Sequence, residues 1–165
     1  MERKEIISKL VQNGAELVKK LKVKNVTVTP QESYVRVALS FDKPVKGMIT
    51  NDDGATYQEG ETKVIFVSIY SITSVLRDND KVAFAVNHII KNPDSLSVIL
   101  SGATVEIIQE KVTTGQIYKN PWSDNAEEQT VDHDTYYNSI TDIKLSQSGE
   151  EATKLIARAL LGFGF

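Results

Sequence analysis

At 165 residues, 41% apolar and 25% charged, the chain has the size and composition of one globular domain that buries a core without staples. It has no cysteine, which excludes disulfides, thiol catalysis and Cys-ligated zinc. Its net charge is −3, but residues 1–24 hold seven bases (Arg3, Lys4, Lys9, Lys19, Lys20, Lys22, Lys24) against three acids (Glu2, Glu5, Glu16), a net +4 that leaves −7 for the rest.

That separation suits contact with an acidic surface, either nucleic acid or a sister subunit; the plainer reading is a solvated helix face. No apolar run approaches the ~20 residues of a bilayer-spanning helix, and the charged start Met-Glu-Arg-Lys-Glu is unlike a signal peptide. The expectation is a protein that works, or is assembled, inside a cell, with no membrane partner.

Residues 2–21 read as a helix. Ile7, Leu10, Gly14, Leu17 and Leu21 follow 3-4-3-4 spacing, and residues 1–22 form a basic amphipathic segment. Residues 23–29 and 34–41 alternate as a hairpin about Pro30-Gln-Glu-Ser33, with Val35, Val37, Leu39 and Phe41 on one face. Asp42-Lys-Pro44 closes that strand, and residues 45–50 read as a third. Asn51-Asp-Asp-Gly54 is a hairpin tip. A calcium loop with its glycine at Gly54 would need a ligand at Ile49 and a bidentate acid at Gly60, and both fail.

Residues 62–68 are apolar on both faces, as a central strand is. Residues 69–102 turn helical, with Ser68, Asp80 and Asn92-Pro93 as start signals and Gly102 as the stop. Residues 103–112 and 137–146 are two further strands, separated by a polar excursion of roughly two dozen residues. Residues 150–161 form a last helix, within a C-terminal segment 147–165. The expected fold is one α+β domain with a mostly antiparallel sheet, an OB-like barrel or a sandwich. It carries an N-terminal helix, a helical insertion after strand 4 and a C-terminal helix.

Chemistry is sought and largely missing. His133 lies between Asp132 and Asp134, but neighbours at i−1 and i+1 point away from it on an extended chain, so a capped turn is the better reading than a metal site. His88 has no evident partner. There is no Gly-x-Ser-x-Gly elbow, no phosphate loop and no dinucleotide-binding turn. No cofactor, metal or enzymatic activity is expected.

The aromatics Tyr118, Trp122, Tyr136 and Tyr137 gather in or beside the long excursion. In an OB barrel such a loop lines a single-stranded nucleic acid groove, where aromatics stack on bases. Residues 121–135, however, contain Asp124, Glu127, Glu128, Asp132 and Asp134 and no Lys or Arg, which repels phosphate. A basic start, an acidic aromatic loop and an apolar ending are also patches that complement one another between copies.

The run Gly115-Gln-Ile-Tyr-Lys-Asn-Pro-Trp-Ser123, with Asp132-His-Asp-Thr135 and Leu160-Leu-Gly-Phe163, resembles small conserved proteins of tailed bacteriophages of gut bacteria, the crAss-like group. The resemblance implies a phage setting, in the virion or the host cytoplasm, where capsid-associated and single-stranded DNA-binding proteins both occur. The expectation placed first is a non-enzymatic virion protein, an auxiliary or capsid-associated subunit contacting copies of itself or capsid proteins. Its contact residues are Tyr118, Trp122, Asp124, Glu127 and Glu128, complemented by Lys4, Lys19, Lys20, Phe163 and Phe165. The alternative is an OB-type single-stranded DNA-binding protein of phage replication.

Overall fold

A computed structural model describes residues 2–31 and 35–160. Helix α1 (Arg3–Gln12) leads into β1 (Glu16–Pro30), β2 (Val35–Thr50) and β3 (Tyr57–Val67). A helical segment follows: α2 (Ile69–Arg77), a 3-10 turn at Ala83–Ala85, α3 (Val86–Lys91), a second 3-10 turn at Pro93–Ser95, and α4 (Leu96–Ile99). Then come β4 (Thr104–Val112), the short strands β5 (Ile117–Tyr118) and β6 (Gln129–Thr130), β7 (Thr135–Lys144) and α5 (Gln147–Leu160).

Five strands close into a barrel in the order β1-β2-β3-β7-β4. All neighbours are antiparallel except β3 and β7, which meet in parallel at Val67 and Asn138. A helical crossover sits between the third barrel strand and the fourth. That order and crossover give an OB-like α+β barrel, the fold the alternating pattern predicts.

Alternation fills the interior. Val37, Leu39 and Phe41 of β2, Ile65 and Val67 of β3, Val105 and Ile107 of β4 and Ile140 of β7 are all buried. The helical segment adds Ile72, Leu76, Val86, Ile89, Leu96 and Leu100 to the same core. Ser71 at the start of α2 accepts the backbone N–H of Ile140 at 3.0 Å, which fixes the helix against β7. A smaller core outside the barrel joins Ile6 and Leu10 of α1 to Ile108, with Trp122 packed against it.

The helix expected over residues 2–21 ends at Gln12. Asn13 caps it, and Gly14 takes a left-handed φ of +95°, the usual way a helix stops. Beyond Gly14 the apolar spacing that reads as helical belongs to a strand, in which Leu21 and Val23 face inward. The two strands expected on either side of Pro44 are one bent strand, β2. Its register with β3 shifts between Ser40 and Val45, and a bulge is where proline's missing N–H does no harm. The helices therefore follow three strands rather than four.

The expected helix start at Asp80 is also displaced: Asn79 Oδ1, not Asp80, accepts the Lys81 N–H at 3.1 Å. Glu32 and Ser33 of the expected turn, together with Phe163 and Phe165, lie outside the described residues.

Candidate nucleic-acid interface

The outward face of β1, β2 and β3 is set by strand register. Thr29 pairs with Arg36, Thr27 with Ala38 and Ala38 with Phe66; Asn25 pairs with Ser40 and Ser40 with Val64. The middle strand thus presents the small side chains Ala38 and Ser40 between Thr27 and Asn25 of β1 and Phe66 and Val64 of β3. Phe66 is 51% exposed and Val64 50%, both toward the C-terminal end of β3. An aromatic ring left in water on a rigid strand, beside small neighbours, is a platform open to a planar ligand.

Two clefts meet at Phe66. One, of about 680 Å³, lies between β2–β3 and α2–α3 and is lined by Arg36, Phe66, Tyr70, Arg77 and Ile90 among others. The other, of about 410 Å³, runs down the barrel between β2–β3 and the start of β7, past Lys46, Tyr57, His133 and Tyr136. Arg36 and Phe66 line both, so the two clefts adjoin at this pair and are together termed the groove. The Arg36 guanidinium lies 3.9 Å from the Phe66 ring centroid, a cation–π contact. At the lower end Tyr57 stacks on His133, with ring centroids 4.3 Å apart and planes 15° from parallel.

The groove is cationic and aromatic, and the described residues lining it include no Asp or Glu. Lys46 bonds Glu16 at 3.2 Å, and that bond with the Glu16 charge raises its pKa. Glu59 stands beside the groove as a carboxylate whose charge Lys111 offsets. Lys111 bonds it, Tyr136 Oη donates to it at 3.1 Å, and both hold the carboxyl below its ordinary range. The Tyr136 phenol is raised by partial burial and by that bond.

Comparison with protein-family models, with curated proteins and with solved structures finds no match.

The residues singled out from sequence lie elsewhere. Trp122 is turned inward: its Nε1 donates to Ser139 Oγ at 2.7 Å and its ring packs on the core of Ile6, Leu10 and Ile108. Tyr118 stacks face to face on Tyr137, with centroids 3.6 Å apart, and its phenol is pushed up by burial, then by the nearby Glu110 and Tyr137. The long connection is thus folded onto its own barrel, with β5 paired to β6. Asp124, Glu127 and Glu128 remain exposed, as do Lys4 on α1 and Lys19 and Lys20 on β1.

The Asp132–Asp134 triple is spread apart. Asp132 bonds His133 Nδ1 at 2.7 Å, whereas Asp134 accepts the N–H and Oγ1–H of Thr114, and these bonds depress its pKa. No group of three His, Asp or Glu among the described residues is placed to hold a metal ion. Asp53 caps the hairpin tip by accepting the N–H groups of Ala55 and Thr56, each at 2.9 Å. No helix among the described residues is long and apolar enough to cross a membrane.

Sequence reasoning missed Phe66, Arg36, Tyr57 and Tyr70. The available signal was Phe66 itself, at a parity whose partner in the neighbouring strand is the small Ala38.

Proposed function

We propose that the protein binds single-stranded nucleic acid in the groove over β2 and β3, without chemistry of its own. The observation that carries this reading is the groove's composition. In a chain of net charge −3, the clefts meeting at Phe66 present Arg36, Lys46 and Arg77 and, among the described residues that line them, no carboxylate. Cations beside exposed rings are what a single strand needs: phosphates track the positive charge, and bases stack on Phe66, Tyr70 and the Tyr57–His133 pair at ~1–3 kcal/mol each. Stacking is tolerant of sequence, so the expected specificity is for unpaired strands rather than for a motif.

Of the acidic residues that argued against a phosphate ligand, Asp124, Glu127 and Glu128 sit in the β5–β6 connection, and Asp132 and Asp134 lie between β6 and β7. None of the five is among the groove's lining residues, although Asp132 bonds the groove residue His133. The virion reading depended on Tyr118 and Trp122 as contact residues. Both are engaged within their own subunit, which removes its main support. In the setting implied by the resemblance to crAss-like phage proteins, the role is single-stranded DNA binding during replication in the host cytoplasm.

A salt titration of a labelled oligothymidine by fluorescence anisotropy tests this. Binding should weaken with salt at a slope of about −0.7 per phosphate contact, and Arg36→Ala should make the slope shallower by about that amount. A protein that does not bind at low salt, or binds with no salt dependence, contradicts the proposal.

A further inference from the structure

We infer that four lysines of β1 (Lys19, Lys20, Lys22 and Lys24) form a phosphate track that continues the proposed groove and carries the strand beyond it. The inference rests on that groove reading and extends it. All four side chains are exposed, and none makes an ion pair among the described residues.

Their placement comes from two irregularities in one strand. Between Val18 and Leu21 the register against β4 shifts, so that Lys19 and Lys20 together stand opposite Glu106. Between Val23 and Asn25 the register against β2 shifts by one residue, and the extra residue is Lys24. Bulges re-aim side chains and recur beside functional sites. Lys20 has φ +58°, the sole positive φ at a non-glycine among the described residues. A residue with a Cβ rarely takes that conformation, and an outlier of this kind points toward function. Glu106, the acid opposite the first bulge, is engaged by Thr141 Oγ1 at 2.9 Å.

Continuity with the groove follows from pairing. The outward residues of β1 beyond the second bulge are Asn25, Thr27 and Thr29, which sit beside Ser40, Ala38 and Arg36 of β2. Arg36 lines the groove, as do Val64 and Phe66 on the far side of Ser40 and Ala38. From Asn25 back to Lys19 the strand runs roughly 20 Å, at ~3.3 Å per residue. A strand leaving the groove across β1 therefore meets one lysine after another on the same outer surface.

Two oligothymidines, of about 4 and about 16 nucleotides, span the site sizes usual for one OB barrel and separate groove from track. In the variant with all four lysines changed to Gln, affinity for the long oligonucleotide should fall and its salt slope should become shallower by about 3, at ~0.7 per phosphate contact. Affinity for the short one should stay unchanged. Lys20→Asn alone should take about 0.7 from the long-oligonucleotide slope while keeping the fold, because Asn tolerates the left-handed conformation. Unchanged affinity and slope on the long oligonucleotide overturn the track. So does an equal loss on both lengths. If the fourfold variant instead loses self-association while long-oligonucleotide binding persists, the lysines serve a second copy of the chain, and the track is wrong. Wild-type protein that binds neither length overturns the groove itself, and the track with it.

Discussion

Trp122 Nε1 donates to Ser139 Oγ at 2.7 Å, and this bond ties the long connection between β4 and β7 to the outside of its own barrel. Ser139 is buried in β7, so its hydroxyl has little access to a substitute partner. Trp122→Phe keeps most of the packing on Ile6, Leu10 and Ile108 but orphans that hydroxyl. The expected result is a loss of ~1–2 kcal/mol in urea denaturation, with oligonucleotide affinity unchanged. A drop in affinity at constant stability would return Trp122 to the binding surface.

Helix α5 packs on α4 through Gly149. A Cβ there would lie 2.4 Å from the carbonyl oxygen of Ile99, and rigid backbone cannot yield as a side-chain tip does. Gly149→Ala must push α5 away from α4, at a cost of ~1–3 kcal/mol typical of overpacking. The midpoint of thermal or urea unfolding reads this directly, and groove binding should survive because α5 takes no part in it.

Glu110 on β4 supplies a pH signature. Burial raises its carboxyl above the ordinary range, so the native state holds this proton more tightly than the unfolded chain does. Its contribution to stability is fully present below the unfolded pKa and is lost as pH rises through the raised folded value. Glu110→Gln should therefore gain stability relative to wild type as pH goes from about 3 to about 7. Denaturation curves at the two ends of that range check the sign. A variant that instead loses stability relative to wild type over that range would mean the carboxylate is stabilised where it stands.

The barrel was legible because its strands alternate cleanly. Val37, Leu39 and Phe41 against Ile65 and Val67 leave one choice of inner face. What misled the reading was local. Leu10, Gly14, Leu17 and Leu21 keep a helical spacing across a helix end and a bulged strand, and the stop is carried by Asn13 and Gly14. Pro44 looks like a terminator, yet it sits where the β2 register shifts.

The groove was hidden for a different reason. Val64 and Phe66 on one face with Ile65 and Val67 on the other read as a strand covered on both sides. Only closure of the barrel shows which side stays open. Conversely, Trp122 and Tyr118 look like exposed contacts in a polar run, because the surface they dock on comes from β4, β7 and α1, distant in sequence.

The most direct test of the account is the affinity of Phe66→Ala for a labelled oligothymidine at fixed low salt. Phe66 is half exposed, so the change should barely move the unfolding midpoint. Loss of one stacking platform should weaken binding by about 5- to 150-fold, the equivalent of ~1–3 kcal/mol. Wild-type affinity in a folded Phe66→Ala protein would contradict the groove as the place where nucleic acid binds.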